Sequence, residues 1–312
     1  MKISACITVL NEEGSIIGLI ADLLDQSKKP DEIVIVDGGS TDKTVEIIRH
    51  WQKKDKKVKL LIEKGSIAHG RNTAIDLVKN DVIATTDAGC RLKKDWLEKI
   101  SDPFKDGKVN VVAGFYRMTG INPVSYAAAP FLGIVPERYD PETFLPSARS
   151  LAFRKSVWED VKGFSEKLDR AGEDTLFVYE ILKKGYRIVR EKEAVVYWEV
   201  PKTFKEIFYK IYYYAKGDRQ INIWWHPTKK LVSHNIKILS IYSRYLFFLL
   251  LLLLFFLSKL PFWLVFLIYF SYLIYPLLKF RNIIRDWRVR LYLPIIQILS
   301  DIAVMSGFLS VS

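Results

Sequence analysis

The chain is 312 residues long and half hydrophobic, with 47 Lys and Arg against 35 Asp and Glu, a net charge of +12 and two cysteines. That apolar content is enough for a large buried core, and two cysteines exclude a disulfide framework and fit a reducing compartment. The basic excess does not indicate nucleic acid, because much of it flanks an apolar C-terminal tail.

The opening "MKISACITVL" reads as a strand and carries no signal-peptide cleavage pattern. Residues 3–10 form a continuous apolar run ending in a polar loop, and residues 15–24 follow with helical spacing. Residues 32–36, 58–62 and 81–86 repeat the strand pattern, and residues 41–51 and 67–78 repeat the helix. Short apolar strands alternating with amphipathic helices predict an α/β fold, a parallel sheet with helices on both faces. Ligands collect beyond the carboxyl ends of such strands. Four loops occupy those ends: 11–14, 37–42, 65–72 and 87–91.

Residues 204–225, "FKEIFYKIYYYAKGDRQINIWW", are rich in aromatics and Lys, which suits helices at a membrane interface. Residues 242–257 and 262–278 are nearly free of charge and read as a transmembrane hairpin. Residues 291–311 form a third apolar stretch, with Asp301 as a costly carboxylate near its middle. Lys202, Lys205, Lys210, Lys216 and Arg219 precede the hairpin, and Lys279, Arg281, Arg285, Arg288 and Arg290 follow it. By the positive-inside rule the N-terminal domain and the 279–290 loop share the cytoplasm, which makes a multi-pass cell-membrane protein. The expected division is a large N-terminal domain at 1–200, interface helices at 201–240 and transmembrane helices at 241–312. Residues 110–149 are the hardest to read and are expected to form a mobile lid.

The strand-end loops have the chemistry of a nucleoside diphosphate site. In "VDGGSTDKT", Asp37 ends a strand, two glycines allow close backbone approach, and Ser40, Thr41 and Asp42 are placed to cap the next helix. In "GSIAHGRNTAI", Arg71 is a forked cation suited to a diphosphate. Asp87 ends the fourth strand, and Glu173 and Asp174 open a later helix, where acids also complement the helix dipole.

Together "ITVLNEE", "IVIVDGGSTDKT", "GRNTAI", "TTDAG", "SLAFRKSVWEDVKGF" and "GEDTLFVYEILKKGYRIV" resemble the family 2 glycosyltransferases in the family's order. The resemblance implies a GT-A nucleotide-sugar-binding, Rossmann-like domain, here followed by amphipathic interface helices and a helical transmembrane tail. It implies that Thr8, Asn11, Glu13, Asp37 and Arg71 line the nucleotide-sugar pocket, that Asp87 opens the family's Asp-x-Asp motif, and that Asp174 is the general base, with Glu173 orienting its surroundings. The donor is then a UDP- or GDP-sugar, and a lipid-linked acceptor, such as a polyprenyl phosphate or lipid-linked glycan, follows from the membrane tail.

The triplet here is Asp87-Ala88-Gly89, without the second aspartate. One carboxylate suffices for Mg²⁺ or Mn²⁺ when phosphate oxygens and waters complete the shell. His69 and His226 are possible additional ligands, each more often structural. Alternatively Arg71, Arg91, Lys93 or Lys94 supplies the cation. Two rival readings stand beside single-sugar transfer. "QINIW" resembles the Gln-x-x-Arg-Trp motif of processive polysaccharide synthases but has Ile223 at the arginine position. The incomplete Asp87 motif instead suggests a nucleotide-sugar binding module that has lost turnover.

Overall fold

The computed structural model describes residues 1–168, 170–225 and 234–311, so His226 lies outside the described residues. Among the described residues the chain divides into two units. The first is Met1–Arg117 with Asp140–Glu199, and the second is Met118–Tyr139 with the residues from Val200 on.

The first unit begins with β1 (Ile3–Val9), α1 (Ile16–Leu24), β2 (Glu32–Asp37), α2 (Thr44–Lys54), β3 (Val58–Ile62), α3 (Ile67–Leu77) and β4 (Val82–Thr85). Every residue of β2 and β4 is buried, as expected of strands covered on both faces. Ile16, Leu19, Ile20 and Leu23 form the i, i+3, i+4, i+7 stripe that α1 buries. Ser66 caps α3, its Oγ accepting from the His69 N–H at 3.2 Å. One turn later, a Cβ on Gly70 would lie 2.9 Å from Thr8 Cγ2, so glycine lets α3 settle against β1. These four strands are parallel, in the order β3-β2-β1-β4.

Past β4 the expected parallel pattern ends. The remaining elements are β5 (Cys90–Leu92), α4 (Trp96–Ser101), β6 (Val111–Thr119), α5 (Pro123–Leu132, in the second unit), β7 (Leu151–Arg154), α6 (Lys155–Asp160), α7 (Glu173–Lys183) and β8 (Ile188–Glu199). The eight strands run β3-β2-β1-β4-β7-β6-β8-β5, with β7 antiparallel to both β4 and β6, and β5 antiparallel to β8. A parallel partner needs a crossover of a dozen or so residues. The connection from β4 to β5 is far shorter, and β5 pairs with β8 instead, setting Cys90 opposite Trp198. The stretch expected as a mobile lid opens with β6, buried from Val111 through Tyr116 and therefore part of the sheet.

The second unit is helical. Asn122 and Ser125 form a capping box at the start of α5. Then follow α8 (Phe204–Ile221), α9 (His234–Phe256), α10 (Phe262–Lys279), α11 (Trp287–Arg290) and α12 (Leu293–Leu309). Thr203 caps α8, which buries Ile207, Ile211 and Ala215 at four-residue spacing and carries Tyr209, Tyr212 and Tyr213, with Tyr209 stacked on Tyr213 and Tyr212 edge-on to both. Among the described residues three helical stretches are long and apolar enough to cross a membrane: Asn235–Phe256, Phe262–Lys279 and Trp287–Leu309, of 22, 18 and 23 residues. At 1.5 Å per residue they measure about 33, 27 and 35 Å, close to a hydrocarbon core. Leu246, Leu249, Leu253, Phe262 and Phe266 stand exposed on them, as lipid-facing residues would.

Asp301, expected as a cost in the third stretch, is buried with partners from three helices. Its Oδ2 accepts from Arg244 of α9 and Tyr272 of α10, and its Oδ1 accepts from Gln297 of α12 at 3.1 Å. The pairing offsets the cost of burying a carboxylate among apolar helices.

Candidate active site

The loops at the carboxyl ends of β1 and β2 lock into one another. Asn11 sits in a left-handed conformation at φ 55°, and its Oδ1 accepts from the Thr41 N–H at 2.8 Å while its own N–H donates to Ser40 Oγ at 2.8 Å. Glu13 Oε2 accepts from the Lys43 N–H at 3.0 Å, and the Glu13 N–H donates to Asp42 Oδ2 at 3.1 Å. Asp37 is fully buried. Its Oδ1 accepts the N–H groups of Gly39 and Ser40 at 2.9 and 2.8 Å, and its Oδ2 accepts Ser40 Oγ–H at 2.6 Å. Expected to meet a base or ribose directly, Asp37 is here wrapped by its own loop and sets that loop's shape.

A second cluster lies at the end of β4. Asp87 follows the strand, and its Oδ1 accepts from Arg71 Nη2 at 2.7 Å. Arg71 is only 3% exposed, and its Nη1 donates to Glu173 Oε1. The arginine expected to face a diphosphate is thus a buried bridge between the Asp-x-Asp position and the acidic pair. The charges of Asp87 and Glu173 raise its pKa in spite of burial. Burial in turn pushes the Glu173 carboxyl up, against the pull of Arg71, and Glu173 Oε2 is buried without a hydrogen-bond partner among the described residues.

Gly172 brings the acidic pair into place. At φ 96° it adopts a conformation that side chains disfavour, and it turns the chain directly into α7, whose first turn holds Glu173 and Asp174. Asp174 is half-buried, and its Oδ2 accepts from the Ala148 N–H at 3.2 Å.

The next residue, Arg149, was not singled out by sequence. Its guanidinium lies 4.0 Å from the Trp198 ring centre and 5.7 Å from that of Tyr116, and its Nε is 3.8 Å from Asp87 Oδ2. The platform exists because β5 pairs with β8, which sets Trp198 beside the loop that carries Asp87. The available signal was an arginine two residues before the apolar "LAF" strand; the aromatic partners lie too far along the chain to be recognised from spacing.

The other cations named for this role are engaged elsewhere. Arg91 binds Asp22 through two contacts of 2.7 Å, Lys93 pairs with Asp95 and Glu193, and Lys94 pairs with Asp25. His69 spans Glu63 and Glu166, its ring nitrogens 2.9 and 3.0 Å from their carboxylates. Both ring nitrogens are therefore occupied by acids, which suits an imidazolium and not a metal ligand.

Among the described residues no group of three His, Cys, Asp or Glu gathers to hold a metal ion. A hard ion at Asp87 would have one protein carboxylate, and donor phosphate oxygens and waters would have to fill its remaining positions. A Cβ added at Gly89 meets nothing within 4 Å, so there is open space where a second aspartate would stand.

This mixed sheet, with carboxylates gathered at its strand ends, has the GT-A architecture of nucleotide-sugar transferases. The mannosyltransferase PcManGT from Pyrobaculum calidifontis, solved with GDP-Man and Mn²⁺, shares the fold at a TM-score of 0.56 and 22% identity, over 70% of this chain and 62% of that one. The family model described as glycosyl transferase family 2 matches residues 4–160, and that of glycosyl transferase family group 2 matches residues 140–295. The chain belongs to glycosyl transferase family 2 and is a glycosyltransferase.

Glycosyltransferase AglE of Haloferax volcanii is 28% identical over 238 residues, 71% of this chain and 74% of that protein. The O-antigen chain rhamnosyltransferase RfbN of Salmonella typhimurium is 28% identical over 212 residues, 63% of this chain and 66% of that protein. The chain spans under two thirds of the length of the rhamnosyltransferase and of the solved mannosyltransferase.

Proposed function

We propose that the chain transfers one sugar, with inversion, from a UDP- or GDP-sugar to a lipid-linked or membrane-delivered acceptor, such as a polyprenyl phosphate or lipid-linked glycan, on the cytoplasmic face of a cell membrane. The observation that carries the reading is the half-buried Asp174, adjacent to Glu173, which Arg71 joins to Asp87. A candidate base and a candidate diphosphate site are thereby fixed to a common scaffold.

In this mechanism Asp174 takes the proton of the acceptor hydroxyl as its oxygen bonds to the anomeric carbon. The bond from that carbon to the phosphate oxygen breaks on the opposite face, and nucleoside diphosphate leaves. With a phosphate acceptor no proton is removed, and Asp174 serves to position it. Thr8, Asn11, Glu13 and the loop shaped by Asp37 line the nucleoside, and Asp87 faces the diphosphate. Mg²⁺ or Mn²⁺, held by Asp87 together with donor phosphates, would supply charge neutralisation. The bound GDP-Man and Mn²⁺ of the mannosyltransferase support this donor class. Three apolar helices and the aromatic, Lys-rich α8 support a membrane-delivered acceptor.

The test is release of nucleoside diphosphate from a donor panel by the full chain in membrane extract, compared with Asp174→Asn. Asp174→Asn should lower turnover roughly 10²- to 10⁴-fold, and NMR of the product should show an inverted anomer. Turnover undiminished in the variant removes Asp174 from the role, a retained anomer refutes direct displacement, and a polymeric product refutes single-sugar transfer.

A further inference from the structure

We infer that Arg149 is a donor-contacting residue, the cation that meets the diphosphate beside Asp87 and takes up the charge developing on it as the sugar departs. The inference rests on the nucleotide-sugar reading above and assigns a role within the same site.

Near Asp87 the unit gathers three carboxylates, Asp87, Glu173 and Asp174, and two guanidinium groups. Arg71 is buried and divided between two of the acids. A diphosphate entering beside Asp87 is repelled by that carboxylate unless a second cation lies at hand, and Arg149 is 3.8 Å from Asp87 Oδ2 with its side chain 14% exposed. Arg149 Nε and Asp87 Oδ2 face each other, and Arg149 Nη1 also donates to Ser147 Oγ at 3.3 Å.

The arrangement is preorganised. The guanidinium sits over Trp198 and near Tyr116, which fixes its plane and directs its N–H donors along its edge. A cation already fixed where charge develops costs no reorganisation during the reaction. The same short turn supplies the Ala148 N–H to Asp174, so one segment places both the cation and the candidate base.

Replacing the second aspartate of an Asp-x-Asp site by glycine removes one negative charge, and adding an arginine supplies one positive charge. Together these change the local charge by about the two units that a divalent ion contributes. Glycine at position 89 and Arg149 on its aromatic platform thus both shift the local charge in the positive direction.

The experiment is calorimetric titration of the purified full chain with UDP, GDP and the matching monophosphates and nucleosides, for wild type, Arg149→Ala and Arg149→Gln, alongside turnover. Glutamine keeps a planar group for Trp198 without the charge, so it decides the matter if the alanine variant does not fold. Both variants should bind the preferred nucleoside diphosphate roughly 10- to 100-fold more weakly, leave nucleoside affinity unchanged, and lose about 100-fold or more in turnover. Equal weakening of diphosphate and nucleoside would reduce Arg149 to a structural part and overturn the inference. So would wild-type diphosphate affinity in Arg149→Gln. If wild type itself neither binds nor turns over any nucleotide sugar, the nucleotide-sugar reading fails, an outcome distinct from failure of Arg149 alone.

Discussion

Replacing Arg71 by methionine tests the buried bridge at the centre of the site. The guanidinium is 3% exposed and donates to Asp87 at 2.7 Å and to Glu173, itself 5% exposed with one oxygen already unpartnered among the described residues. Removing it strands the Glu173 carboxylate in the interior, and breaking a buried pair from one side costs about 3–5 kcal/mol. At roughly 2–4 °C per kcal/mol for a unit of this size, the unfolding midpoint should fall by about 6–20 °C. Intrinsic fluorescence during heating in detergent measures it. Arg91→Met is the comparison, because Arg91 also makes a two-contact pair, with Asp22, but is exposed and should cost no more than about 1 kcal/mol. Adding Glu173→Leu to Arg71→Met removes the stranded charge and should restore part of the loss. The bridge is refuted as a stabilising element if Arg71→Met shifts the midpoint no more than Arg91→Met, or if the double variant loses the sum of its two single changes.

Two further outcomes follow from the same loops. Gly89→Asp restores the second carboxylate in open space, so stability should stay within about 0.5 kcal/mol of wild type; nucleotide binding should become more dependent on Mn²⁺, and unchanged binding in EDTA and Mn²⁺ would contradict it. His69 has a pKa raised above 6.5 by its hydrogen bonds to Glu63 and Glu166. Its clasp is therefore fully present below pH 6.5 and is lost as pH rises through the higher folded value. Unfolding midpoints of wild type and His69→Gln should converge across that rise, and a constant gap from pH 5.5 to 9 would remove the clasp.

What was legible in the sequence follows from what is local. The runs at β1, β2 and β4 are apolar because both faces are covered, the edge strand β3 is only partly buried, and the ends of all four fall within a residue or two of where the pattern stops. The antiparallel half was hidden: β7 is four residues long, and the twelve-residue β8 contains the charged "REKE", so neither has a clean period. Asp37, Asp87, Glu173 and Asp174 were identifiable as polar residues at element ends, whereas Thr8, Asn11 and Glu13 came only from the family resemblance. Their partners were not, because Arg71 reaches Glu173 across 102 positions, and nothing in a helical repeat marks an arginine that will be buried. Arg149 was missed for the same reason, since its platform combines three separate stretches of chain.

The buried Asp301 also bears on the order in which the helices assemble. Arg244 and Tyr272 precede it in the chain, so a ribosome delivers both partners before the carboxylate emerges. Entering lipid alone, α12 would carry an unmatched acid, at about 2.5–3.5 kcal/mol on translocon scales. Entering against α9 and α10, it meets a cation and a hydroxyl already in position. On the reading that these helices span a membrane, the earlier hairpin would serve as a template for the last helix, and the direction of synthesis would become part of the information that specifies the helical unit.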